Sequence, residues 1–136
     1  MKIIVVDGKS GKTGALFIEE LRKRGCDLEL TAIGTNVIAT TSMLKAGASD
    51  GASGENAIMV ATRSADLIVG PLGIVEADAI MGEITPKAAT AIGSSQATKL
   101  LIPINLCNTI VVGTQDFSMK KLIEESVNQF LELVSQ

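Results

Sequence analysis

The densest chemistry in the chain is one octapeptide, Asp7-Gly8-Lys9-Ser10-Gly11-Lys12-Thr13-Gly14. Glycines at 8, 11 and 14 let a backbone turn pass close to a phosphate, and Lys9 and Lys12 supply two cations beside it. If a helix begins here, its first N–H groups add donors and a partial positive charge. The Gly-x-x-Gly-x-x-Gly spacing is closer to the turn of extended dinucleotide-binding domains than to the stricter Gly-x-Gly-x-x-Gly form. A tight turn that packs helix against sheet would need the same glycines with no ligand at all.

Gly11-Lys12-Thr13 also matches the end of a phosphate-binding P-loop, in which the lysine reaches phosphates and the hydroxyl meets Mg²⁺. The complete motif would place its first glycine where this chain has Val6, and neither Gly70-Pro71 nor Pro103-Ile104-Asn105 offers a metal-holding acid. Nucleoside triphosphate binding therefore ranks second. A dinucleotide site calls for an acid about 20 residues beyond the glycines, to hold the adenosine ribose. Asp27 and Glu29 have that separation but sit at the start of the second strand, while its far end carries Gly34-Thr35-Asn36. Those neutral groups can bond a ribose hydroxyl, and Asn36 can equally just cap a helix.

Cys107 is a candidate nucleophile with no histidine to activate it, so an inert thiol is the better reading. Cys26 carries no functional signal. Glu55, Glu76 and Glu83 are possible acids or bases, but each reads more simply as a solvated helix face.

These residues need a scaffold, and the hydrophobic pattern supplies one. Ile3 to Val6 is a β-branched strand, followed by an amphipathic helix through Arg24 that ends at Gly25. A second strand spans Leu28 to Ile33. Asn36 then caps a helix to about Ala46, although Val37, Ile38, Thr40 and Thr41 are weak helix formers. Ala48 to Gly51 reads as a short third strand, with Ser53 capping a helix from Glu55 to Ser64. Asp66 to Gly70 reads as a buried strand. A helical region from Val75 to Ser94 breaks near Gly82 and restarts with Thr85 as cap and Pro86 at its first position. Thr98 to Ile104 is a fifth strand, Thr109 to Val112 a short one after it, and Ser118 to Val134 a closing amphipathic helix.

Continuous apolar strands alternating with helices predict an α/β fold, a Rossmann-like doubly wound three-layer sandwich. Its five-stranded sheet should be mostly parallel. The connection into Thr109–Val112 is too short for a crossover, which predicts an antiparallel edge strand there. On this topology Asp7-Gly8, Gly34-Thr35-Asn36, Asp50-Gly51, Gly70-Pro71 and Asn105 all fall on the carboxyl edge of the sheet, where open α/β sheets bind ligands.

Composition sets the outer limits. The 136 residues suit one domain, 1–136, and 46% hydrophobic with 20% charged residues is too apolar for disorder. A net charge of −3 argues against a nucleic-acid or anionic-membrane binder. With no His, Tyr or Trp, histidine triads and His-based zinc sites are excluded, and no metal site is expected. Two cysteines are too few for a disulfide scaffold, and no apolar run reaches the roughly 18 residues of a membrane span, so a cytoplasmic protein is expected. A mean hydropathy of +0.37 in so short a chain predicts apolar surface that a homodimer would cover.

The segments Val6-Asp7-Gly8, Gly34-Thr35-Asn36, Met43 to Ala48, Asp50 to Asn56, Met81 to Pro86 and Pro103 to Asn108 resemble a short bacterial family known only as a domain of unknown function. The resemblance spans nearly the whole chain. It implies a small Rossmann-like protein and brings no activity, substrate or catalytic residue with it. The expectation is thus a protein that binds NAD(P) or another nucleotide, a small phosphate-bearing ligand, through Gly8 to Gly14. Lys9 and Lys12 would lie near the phosphates and Thr35-Asn36 near a ribose. A non-enzymatic oligomeric sensor or scaffold is the remaining alternative.

Overall fold

The computed structural model describes residues 1–136 apart from 105 and 107, so Asn105 as a ligand contact and Cys107 as a nucleophile lie outside the described residues. Five strands, β1 (Ile3–Asp7), β2 (Thr31–Gly34), β3 (Asp50–Ser53), β4 (Leu67–Pro71) and β5 (Thr98–Ile102), form one sheet. Its order is β3-β2-β1-β4-β5 and every pairing is parallel. The helices are α1 (Lys12–Lys23), α2 (Val37–Ala46), α3 (Glu55–Ser64), α4 (Pro86–Gly93) and α5 (Met119–Val134). The chain leaves β1 toward β2 and β3, then returns across the sheet to β4 and β5. The reversal falls between β1 and β4, which makes that gap the switch point of a Rossmann-like sheet.

The two-residue period of β1 sorts the core. Ile3 and Val5 face one layer with Phe17, Leu21, Met43, Val127 and Phe130, whereas Ile4 and Val6 face the other with Ile58, Ile74, Ile84 and Ile92. Helices α1, α2 and α5 therefore cover one face, and α3 and α4 the other. On the first face Phe17 and Phe130 meet edge to face, ring centroids 5.5 Å apart, tying α5 to α1. The same period sends the Asp7 side chain to the α1 face.

No antiparallel edge strand forms among the described residues. Thr109–Val112 has strand-like composition, yet Thr109 Oγ1 donates to Glu76 Oε2 at 2.7 Å and draws the segment toward the loop after β4. A turn at Val111, whose carbonyl accepts from Thr114 Oγ1 at 2.7 Å, then ends any extended run. Ile110 and Val112 are left 82% and 90% exposed, and β5 remains an edge.

Helix α2 forms despite its β-branched residues, because Asn36 accepts from the Ala39 amide at 2.8 Å, as an N-cap should. Ser53 does not cap α3. Gly54 holds the cap position, and the Ser53 hydroxyl lies 2.7 Å from Thr40 Oγ1 instead. Nor does a long helix start at Val75: a single 3-10 turn, Leu72–Val75, gives way to tight turns before Thr85 caps α4 by accepting from Ala88 N at 3.1 Å. No helix is long and apolar enough to cross a membrane, among the described residues.

Candidate functional site

At the carboxyl edge, over the gap between β1 and β4, lies a cavity of about 850 Å³, within the size range of small-molecule sites. Its floor is the turn after β1, with Asp7, Gly8, Lys9, Ser10, Lys12 and Thr13 all lining it. Pro71, Gly73 and residues 76–81 form a second wall, and Ile104, Leu106, Asn108 and Thr109 a third. Three stretches far apart in sequence thus meet at the place the topology singles out.

The glycines do not lie against this space in the way their spacing suggests. Gly11 has φ +72°, and a Cβ there would meet the Ala39 backbone oxygen at 2.7 Å, so it lets α1 and α2 approach. A Cβ on Gly14 would meet Met43 Sδ at 2.6 Å, inside the core. Neither lines the cavity. Gly8 does, yet the atoms closest to its missing Cβ are the protein's own: Thr35 Oγ1, Ile80 Cγ2 and Glu83 Oε1, at 2.9, 3.0 and 3.1 Å. Gly70 is buried in β4 against Val6 O and Ile74, outside the lining.

Asp7 fills part of the role first given to a ligand. Its Oδ1 accepts from the Gly8 amide at 2.7 Å and its Oδ2 from the Gly14 amide at 2.8 Å, a carboxylate held at the N-terminus of α1. Burial raises the Asp7 carboxyl above its ordinary value. Its amide hydrogen bonds pull the other way without cancelling that effect, and the nearby Glu83 charge adds to the rise. The amides of Ser10 and Lys12 have no partner among the described residues, and both residues face the cavity. Lys9 and Lys12 are exposed at its rim.

A second carboxylate closes the neighbouring ground. Glu83 Oε1 accepts from the Lys9 amide at 2.9 Å, Thr35 Oγ1 at 2.5 Å and Asn36 Nδ2 at 2.9 Å. Burial alone would raise the Glu83 carboxyl, but the bonds from Thr35, Lys9 and Asn36, with the Lys9 charge, leave it below its ordinary value. Thr35 and Asn36 are accordingly engaged by Glu83, and neither they nor Gly34 line the cavity.

The model of the family described as Domain of unknown function (DUF3842) matches residues 2–135. The chain belongs to this family. No curated protein and no solved structure matches it.

In this DUF3842 chain, backbone strain concentrates at the cavity. Lys9, Asp78, Ile80 and Met81 have φ of 50°, 65°, 55° and 54°, and these left-handed non-glycine residues all line it. For a β-branched residue such as Ile80 that conformation is costly and persists only where surrounding contacts enforce it. Glu76 and Glu83, which the sequence offers as possible acids or bases but more simply as a solvated helix face, belong to this region, and Asp78, Ile80 and Thr109 join them with no prior signal as site residues. The signal that could have found them is Thr85-Pro86: a proline at the first helical position makes the preceding acids loop residues on the carboxyl edge, not a helix face. No group of three or more His, Cys, Asp or Glu poised for a metal ion occurs among the described residues.

Proposed function

We propose that this protein binds a small phosphate-bearing ligand of the nucleotide class in the cavity over the β1–β4 switch point. The observation that carries the reading is the floor of that cavity, where the Ser10 and Lys12 amides are free of partners among the described residues beside two exposed lysines. Phosphate at such a helix N-terminus gains from aligned amides and from the helix dipole. The reading rests on those residues and not on the glycine spacing, since Gly11 and Gly14 are accounted for by packing.

Isothermal titration of the purified protein with inorganic phosphate, AMP, NAD, NADP and ATP with and without Mg²⁺ tests it, with Lys12→Ala as the paired variant. Lys12 is exposed, so its loss should leave stability within about 0.5 kcal/mol. Affinity for the preferred ligand should fall roughly tenfold, the order expected for one charge-assisted contact. Absence of binding by every compound at millimolar concentration, or equal affinity in Lys12→Ala, refutes the reading.

A homodimer belongs to the same proposal. Val37, Ile38, Met81, Ile110 and Val112 leave apolar side chains exposed, and sedimentation showing only monomer at micromolar concentration would reject it.

A further inference from the structure

We infer that the site takes a single nucleotide unit and excludes a dinucleotide, because the protein's own Glu83 and Ile80 occupy the ground that the second half would need. The inference rests on the binding function proposed above and narrows its ligand. In a sheet of this order a dinucleotide lies across the switch point, one half over β4 and β5 and the other over the end of β2, with the pyrophosphate passing close to the first glycines. Among the described residues the β4 and β5 side is open, as the 850 Å³ cavity.

The β2 side is filled. Thr35 and Asn36, the groups at the end of β2 that could bond a ribose, both donate to Glu83 Oε1, as does the Lys9 amide that a bridging phosphate would seek. Over Gly8, where a pyrophosphate would need backbone clearance, Ile80 Cγ2 and Glu83 Oε1 stand 3.0 and 3.1 Å from the position of a Cβ. A ligand bridging the two halves would have to break those three hydrogen bonds and displace a strained, β-branched residue. A nucleoside monophosphate need do neither. Its phosphate could meet the amides of Ser10 and Lys12, which have no partner among the described residues, and the Glu76 carboxylate on the opposite wall, whose Oε2 accepts from Thr109, offers an acceptor for its hydroxyls.

Calorimetric titration of AMP, ADP and NAD into the full chain tests this, because AMP can be seated wholly on the open β4 and β5 side, whereas NAD adds a second nucleotide that must lie over the filled end of β2. Wild type should bind AMP at least tenfold more tightly than NAD, with ADP within threefold of AMP. In Glu83→Ala, NAD should tighten at least fivefold while AMP changes less than twofold. Ile80→Gly, which removes a second obstructing side chain at a position that favours glycine, should shift the same ratio and serves if Glu83→Ala fails to fold. NAD binding to wild type as tightly as AMP overturns the inference while leaving the binding function intact. Exclusion of ADP together with NAD overturns it as well, since the barrier would then be to a second phosphate. An unchanged AMP-to-NAD ratio in the folded variants does the same. If none of the three binds wild type, the binding function itself falls, and this inference with it.

Discussion

Replacing Asp7 with alanine sets two large effects against each other. The carboxylate is the acceptor for two backbone amides, Gly8 at 2.7 Å and Gly14 at 2.8 Å, and Asp7 is 5% exposed. Leaving a buried N–H without an acceptor costs roughly 1–3 kcal/mol each, so the loss is of order 2–6 kcal/mol. Against it stands the relief of no longer burying a charge, which is why the Asp7 carboxyl is raised in the fold. We expect the unpaired amides to prevail and Asp7→Ala to lose about 2–3 kcal/mol, roughly 6–15 °C in melting temperature for a chain of this length. A pH series adds a sign. A carboxyl whose folded value lies above its unfolded value contributes stability that is complete below the unfolded value, near 3.8, and is lost as pH rises through the folded one. The gap between wild type and Asp7→Ala should therefore be widest in acid and narrow toward neutrality. Thermal melts of both proteins from about pH 4 to about pH 8 read both effects. A variant as stable as wild type at every pH, or a gap that widens as pH rises, would refute this account of the turn.

Two further expectations follow from the same geometry. Gly11 and Gly25 both have positive φ, +72° and +82°, but a Cβ on Gly11 meets the Ala39 backbone whereas Gly25 has nothing within 4 Å. Gly25→Ala should cost about 1–2 kcal/mol from conformation alone and Gly11→Ala roughly 3–5 kcal/mol, because a neighbouring backbone cannot swing aside; equal losses in chemical denaturation would count against the helix contact. Glu83 titrates in the opposite sense to Asp7: its carboxyl is lowered in the fold, so its contribution is present above the ordinary value of 4.5 and lost as pH falls through the folded one. Glu83→Gln should accordingly be less stable than wild type at neutral pH and converge with it in acid, and paired melts in which the gap persists below about pH 3 would show that the carboxylate charge is not what holds Thr35, Asn36 and Lys9.

Much of the framework was legible because it is local. Alternation along Ile3 to Asp7 names the two faces of the sheet, Asn36 and Thr85 announce their helices by side-chain chemistry, and the apolar runs at β1 and β4 mark buried parallel strands. What could not be read depends on contacts across long stretches of chain. Glu83 lies 74 residues from the Lys9 amide that it binds. No periodicity records such a pairing, so a solvated helix face was the economical reading. Thr109–Val112 failed for the same reason: β propensity is decided by what a strand can pair with and pack on, and here Glu76 pulls the segment off the β5 edge.

The glycine turn shows why a motif and its chemistry must be separated. Gly8, Gly11 and Gly14 do permit close approach, as their spacing promises, but what approaches is Thr35, Ile80 and Glu83 at the first, α2 at the second and Met43 at the third. An internal carboxylate, Asp7, takes two of the amides that a phosphate would otherwise claim. The same sequence pattern thus holds a carboxylate that belongs to the chain itself. Among the described residues the helix start is left unpaired at Ser10 and Lys12, and that is where the cavity lies. A ligand that reaches those amides without contesting Glu83 fits this fold; one that must displace it works against three hydrogen bonds already made.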